Sequence, residues 1–109
     1  MGVEDFKARL RGYSEGAIII GPHAIDRATI RNISVQEIRG NIHNPERLRI
    51  VIPEQRGGEM RFKCYFDYSN NLAHMYVLVL NKSIKVVTVI KIRKKWQKIV
   101  ERYGKAKAL

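Results

Sequence analysis

The sequence predicts an α+β domain in which helices pack on one face of a curled, mainly antiparallel sheet of four to five strands. Three observations lead there. Between residues 3 and 43 apolar side chains recur about every 3.6 positions, the period of a helix. From Leu48 the period drops to 2, the period of a strand. Short polar or glycine-rich breaks then divide the second half into strand-length pieces before a helical period returns after Ile92.

Each element has a local cause. Val3, Phe6, Leu10 and Tyr13 fall at helical spacing, so residues 3–13 suggest an amphipathic helix that Gly12 and Gly16 weaken and end. The run AIII, residues 17–20, suits a short buried strand. Gly21-Pro22 closes it, and Pro22 can open a helix because the first helical N–H has no partner to lose. That helix should run to about Arg31. Asn32 tolerates the left-handed conformation that ends many helices. Ser34-Val35-Gln36-Glu37 fits the S-x-x-E capping box, and the helix it opens carries Val35, Ile38 and Ile42 on one side before Asn44-Pro45 stops it. Residues 47–52 then alternate as a strand, Pro53 to Glu59 reads as a hairpin loop around Gly57-Gly58, and Met60, Phe62, Cys64 and Phe66 mark the inner face of the next strand. Residues 72–80 and 84–91 are apolar at nearly every position, the pattern of strands covered on both faces. Finally Ile92, Trp96, Ile99, Val100 and Tyr103 sit at helical spacing opposite Lys94, Lys95, Lys98 and Arg102. Residues 93–103 are therefore expected to form a basic helix, followed by a frayed tail at 104–109.

A chain of 109 residues holds a single domain with a modest core. It has no apolar run near the roughly 20 residues of a membrane helix and no signal-peptide core, and a lone Cys64 excludes an internal disulfide framework. These features suggest a cytoplasmic protein with no membrane partner. Its 21 Lys and Arg against 10 Asp and Glu give a net charge of +11. The excess is clustered: from Lys82 onward ten cations face one acid, Glu101. That is the electrostatic footprint of a protein that binds a polyanion, RNA or the ribosome, or an acidic protein.

Chemistry concentrates in HAIDRATIRNIS, residues 23–34. On a wheel of about 100° per residue, Ala24, Ile25, Ala28 and Thr29 span the arc expected to face the sheet. His23, Arg27 and Arg31 form a stripe of about 80° that borders this arc at Ala24. His23 lies in the first helical turn, where unpaired N–H groups favour an anion and disfavour imidazolium. A neutral histidine with arginines one and two turns on is the minimum equipment for cleaving an RNA backbone: a group to deprotonate the 2′-hydroxyl and cations to stabilise the charged transition state. Arg61, Lys63 and Tyr65 share one strand face, a basic pair beside an aromatic that can contact phosphate and stack on a base. Lys91 and Arg93 join Lys94, Lys95, Lys98 and Arg102 as candidate nucleic-acid contacts. Cys64, between Phe62 and Phe66, reads as buried. His43 and His74 lack partners at metal-ligand spacing, so neither a metal nor another cofactor is expected.

His23, Ala24, Arg27, Arg31, Ile33 and Ser34 spell His-Ala-x-x-Arg-x-x-x-Arg-x-Ile-Ser. This resembles the signature of a family of small prokaryotic domains of unknown function, similar to BrnT-type toxins and placed with the RelE/ParE toxin superfamily. Glu37-Ile38, Asn44-Pro45 and the run Lys85 to Ile90 are also similar, so the resemblance spans about residues 18–92. Asn32 stands where family members often carry glycine; both tolerate a left-handed helix end. The resemblance implies a RelE-like fold with extra N- and C-terminal helices. It also implies a metal-independent endoribonuclease of the mRNA-interferase type, with His23, Arg27 and Arg31 carried over as motif positions, and an acidic antitoxin as partner. In that reading Arg61 joins the phosphate clamp and Lys63 with Tyr65 faces the substrate. Two alternatives remain: a non-catalytic nucleic-acid- or ribosome-binding module on the same fold, and a scaffold in which the stripe pairs with acids such as Asp26 and Glu37.

If the charge excess serves a polyanion, affinity for RNA should fall steeply as salt rises, because each phosphate contact releases a bound counterion. A filter-binding series in which affinity ignores salt would count against this reading.

Overall fold

A computed structural model of the chain describes residues 2–69 and 71–93. The described elements are α1 (Val3–Arg11), β1 (Ile18–Ile20), α2 (Pro22–Ile30), α3 (Val35–His43), β2 (Leu48–Arg56), β3 (Glu59–Ser69), β4 (Leu72–Leu80) and β5 (Ile84–Ile92). Single 3₁₀ turns lead into β1 and β2, at Glu15–Ala17 and Pro45–Arg47. The strands form one sheet in the order β1-β5-β4-β3-β2. Its pairs are antiparallel except β1, which lies parallel to β5. The fold is thus α+β, with a five-stranded, mostly antiparallel sheet and three α-helices among the described residues. The expected basic helix at 93–103 lies outside the described residues, apart from the exposed Arg93.

One face of the sheet carries the main core. Phe62, Cys64 and Phe66 of β3, Tyr76, Leu78 and Leu80 of β4, and Ile84, Val86 and Val89 of β5 meet Phe6 and Leu10 of α1, Ala24 and Ala28 of α2, and Ile38 and Ile42 of α3. Two alanines, rather than large residues, seat α2, which brings its backbone close to β5. The buried arc of α2 is therefore narrower than the wheel suggests: Ala24 and Ala28 are buried, while Ile25 and Thr29 are exposed. Sheet contact is confined to the side that borders the His23–Arg31 stripe.

Both ends of the α2–α3 connection are pinned locally. Asn32 has φ +56°, and its N–H donates to the Thr29 carbonyl at 3.1 Å while the Ile33 N–H donates to the Ala28 carbonyl at 2.8 Å. This is the Schellman arrangement, with buried Ile33 supplying its apolar contact. Two residues on, the Glu37 N–H donates to Ser34 Oγ at 3.0 Å and caps α3.

The β2–β3 hairpin differs from the expected loop at Pro53–Glu59. Pairing continues through Pro53↔Phe62 to Arg56↔Glu59, and Gly57 and Gly58 alone make the turn. Their φ values of +56° and +80° suit the tight turn that matches strand twist. Pro53 is accommodated because β2 is an edge strand, where a missing N–H need not break a ladder. The other edge, β1, is only three residues long, and Arg39 Nη1 donates to its Ile18 carbonyl at 2.6 Å. A short, capped strand is a poor template for pairing with another chain.

Ser34→Ala should cost about 1 kcal/mol, the usual loss of an N-cap. Urea unfolding measures it, and an unchanged midpoint would show that the cap contributes nothing.

Candidate functional site

The His23 stripe is built by α2 alone. Gly21 is tied to the sheet through its N–H to the Val86 carbonyl at 3.4 Å, and Pro22 starts the helix immediately after it. His23 is exposed in the first turn. Arg27 is exposed one turn later, and its Nε approaches His23 Nε2 at 3.5 Å. A donor N–H aimed at Nε2 requires that nitrogen to be unprotonated, so this geometry suits the neutral ring. At 3.5 Å the contact is long and gives way readily to a stronger acceptor. Arg31 is half-buried at the helix C-cap, on the core side of the stripe. Among the described residues, neither Arg27 nor Arg31 forms an ion pair with a carboxylate. Glu37, considered above as their partner, accepts instead from the Tyr68 hydroxyl at 3.1 Å.

The other predicted residues stand elsewhere. Arg61, Lys63 and Tyr65 point to the face of the sheet opposite the helices, because they alternate with Phe62, Cys64 and Phe66. Arg61 cannot share a phosphate with His23 across the thickness of the sheet. Its Nε is also paired with Glu59 at 3.1 Å, and Lys63 is paired with Glu54 at 3.1 Å. Tyr65 is 7% exposed, within an apolar cluster with Ile50, Met75 and Val77, so its ring is not an open stacking surface. Lys91 is half-buried on β5, opposite His74 in register. Lys94, Lys95, Lys98 and Arg102 lie outside the described residues. Cys64 is fully buried, and burial pushes its thiol far above the usual range, away from reactivity. Among the described residues no three His, Cys, Asp or Glu side chains gather to hold a metal ion. No described helix is long and apolar enough to cross a membrane. A cleft of about 390 Å³ lies between Arg9 of α1, the β2–β3 turn and the end of β4, and none of the predicted site residues lines it.

A second polar constellation lies under α3. Asn41 uses both amide hydrogens, donating to Tyr68 Oη at 2.7 Å and Tyr76 Oη at 2.8 Å. The Tyr68 hydroxyl donates to Glu37 Oε2 at 3.1 Å, and Tyr76 Oη lies 3.0 Å from His74 Nδ1. The Tyr68 hydroxyl thus accepts one bond and donates one, while the tautomer of His74 sets the direction of its bond with Tyr76. The Tyr68 ring is stacked on His74 at 4.2 Å, and Arg47 sits 4.6 Å from its centroid. Burial raises both tyrosine hydroxyls above their ordinary range. His74 falls to about 4: burial disfavours the imidazolium, Glu37 works against that, and Lys91 and Arg47 add to it. The sequence carried a faint signal of this network. Asn41 interrupts the apolar side of α3 next to Ile42, and His74 and Tyr76 are polar-tipped residues two apart in an apolar strand.

No family model, curated protein or solved structure matches the chain.

The His74 shift sets a sign for acid stability. Above about pH 6.5 the ring is neutral in both folded and unfolded chains and adds no slope. Between about 6.5 and about 4 the unfolded chain binds a proton that the folded chain resists, so stability falls as pH falls. Urea unfolding at several pH values should show this decline, and His74→Gln should flatten it. An unchanged slope in the variant would place its origin elsewhere.

Proposed function

We propose that the protein acts on RNA through the His23–Arg27–Arg31 edge of α2, as a metal-independent endoribonuclease. The observation that carries this reading is the exposed stripe itself: an imidazole with a guanidinium 3.5 Å away, and two arginines that no described carboxylate neutralises. Arginines kept merely for stability are expected to pair with acids, and Glu37, the acid weighed as their partner, accepts from Tyr68 instead. An incoming phosphate takes Arg27 in a two-pronged contact and releases it from His23. Nε2 is then free to remove the 2′-hydroxyl proton as the oxygen attacks phosphorus. The bond from phosphorus to the 5′-oxygen breaks, leaving a 2′,3′-cyclic phosphate; the 5′-oxygen takes a proton from water, while Arg27 and Arg31 offset the charge on the phosphoryl oxygens. Arg61, on the far face, has no part in this site.

The one-sided helices and mostly antiparallel sheet support the RelE-like reading that the signature implies. An acidic antitoxin covering the α2 edge, and the ribosome as the place of action, belong to that reading too. A second reading, a nucleic-acid-binding module without cleavage, is favoured by one observation. Efficient transesterification uses a base and an acid, and the stripe holds one histidine beside two arginines, which do not give up a proton.

Purified protein incubated with RNA should cleave it with EDTA present. His23→Ala should slow cleavage by about 10²-fold or more, the usual contribution of a general base, while keeping salt-dependent binding. Cleavage that requires added metal, or that is unchanged in His23→Ala, rules this mechanism out. RNA binding without any cleavage selects the second reading.

A further inference from the structure

The sheet face opposite the helices is built like a core. Ile50, Tyr65, Met75 and Val77 are each no more than 8% exposed there, rimmed by half-buried Ile52, Val87, Ile90 and Ile92. None of α1, α2 and α3 contributes a residue to this cluster. β5 ends at Ile92, inside the rim, and Arg93 is the last described residue. The sequence that follows therefore begins at the border of this face. In that sequence Trp96, Ile99, Val100 and Tyr103 fall within an arc of about 100° at helical spacing. Lys94, Lys95, Lys98 and Arg102 fall within the opposite arc of about 100°. Dimensions agree as well. Ten residues at helical rise measure about 15 Å, and β5 to β2 is three strand spacings, about 14 Å.

We propose that residues 94–103 are the occupant of this face, docking through Trp96, Ile99, Val100 and Tyr103 across β5, β4, β3 and β2. Seated this way, the segment turns Lys94, Lys95, Lys98 and Arg102 outward. It makes a cationic strip on the side of the sheet away from α2, available to a polyanion. The use of that strip rests on the RNA reading; the docking does not.

Trp96 is the only tryptophan, so its fluorescence reports on the segment in the full chain without RNA. Docking predicts emission blue-shifted from that of N-acetyltryptophanamide, with acrylamide quenching slowed several-fold. Ile90→Lys, at the half-buried rim, should shift emission to the red and restore quenching while the far-UV circular dichroism stays that of the parent chain. A Trp96 quenched as readily as the free amide overturns the proposal, and so does unchanged protection in a folded Ile90→Lys. Protection that vanishes on dilution, alongside a dimer in sedimentation, overturns it in favour of a second copy on this face. Should Ile90→Lys unfold, wild-type quenching and its concentration dependence still decide.

Discussion

β4 is buried from Ala73 to Leu80 on both of its faces, and the rest of the molecule is arranged around that constraint. A strand with Tyr76, Leu78 and Leu80 on one side and Met75, Val77 and Val79 on the other cannot sit at an edge or face water. It takes the middle of the sheet, between β3 and β5. Its two neighbours match it on the helix side with Cys64 and Phe66 on β3 and Val86 and Val89 on β5. That side then draws in all three described helices. The periphery takes what remains: β2, with Pro53 and with Arg47, Arg49 and Arg56 in or beside it, forms one edge, and the three-residue β1 the other.

Helix packing on β4 brings its own requirement. Tyr76 and His74 place polar atoms beneath α3, and Asn41 answers the Tyr76 and Tyr68 hydroxyls with one amide group. Such a network specifies how α3 lies on the sheet more tightly than apolar contact does, because a shift would strand buried donors and acceptors. It also holds the Glu37 carboxylate on the Tyr68 hydroxyl, at 3.1 Å.

Much of this was legible from local patterns. The Asn32 helix end, the Ser34 cap, the stop at Asn44-Pro45 and the strands at 72–80 and 84–91 follow from side-chain conformational limits and period alone. The hairpin was misplaced because Pro53 and two glycines together look like a loop. Only the position of β2 at an edge makes proline acceptable within a strand. Ile25 was expected inside because a wheel gives the direction of the apolar arc but not its width. The width was set by how closely Ala24 and Ala28 let α2 approach β5.

The sequence by itself determined the order and kind of the elements, the stripe of His23, Arg27 and Arg31 on one helix, and the excess of positive charge. Each depends on residues within a few positions of one another. Which cations stand together was decided by the tertiary structure alone. Arg61 and His23 look like partners in a list of residues, yet strand parity puts one on each side of the sheet. Glu54 reaches Lys63 across the β2–β3 hairpin, and Glu37 reaches Tyr68 through the packing of α3. The physical reason is the same throughout: ion pairing and burial act across space, and neither face nor neighbour exists until the sheet has closed around β4.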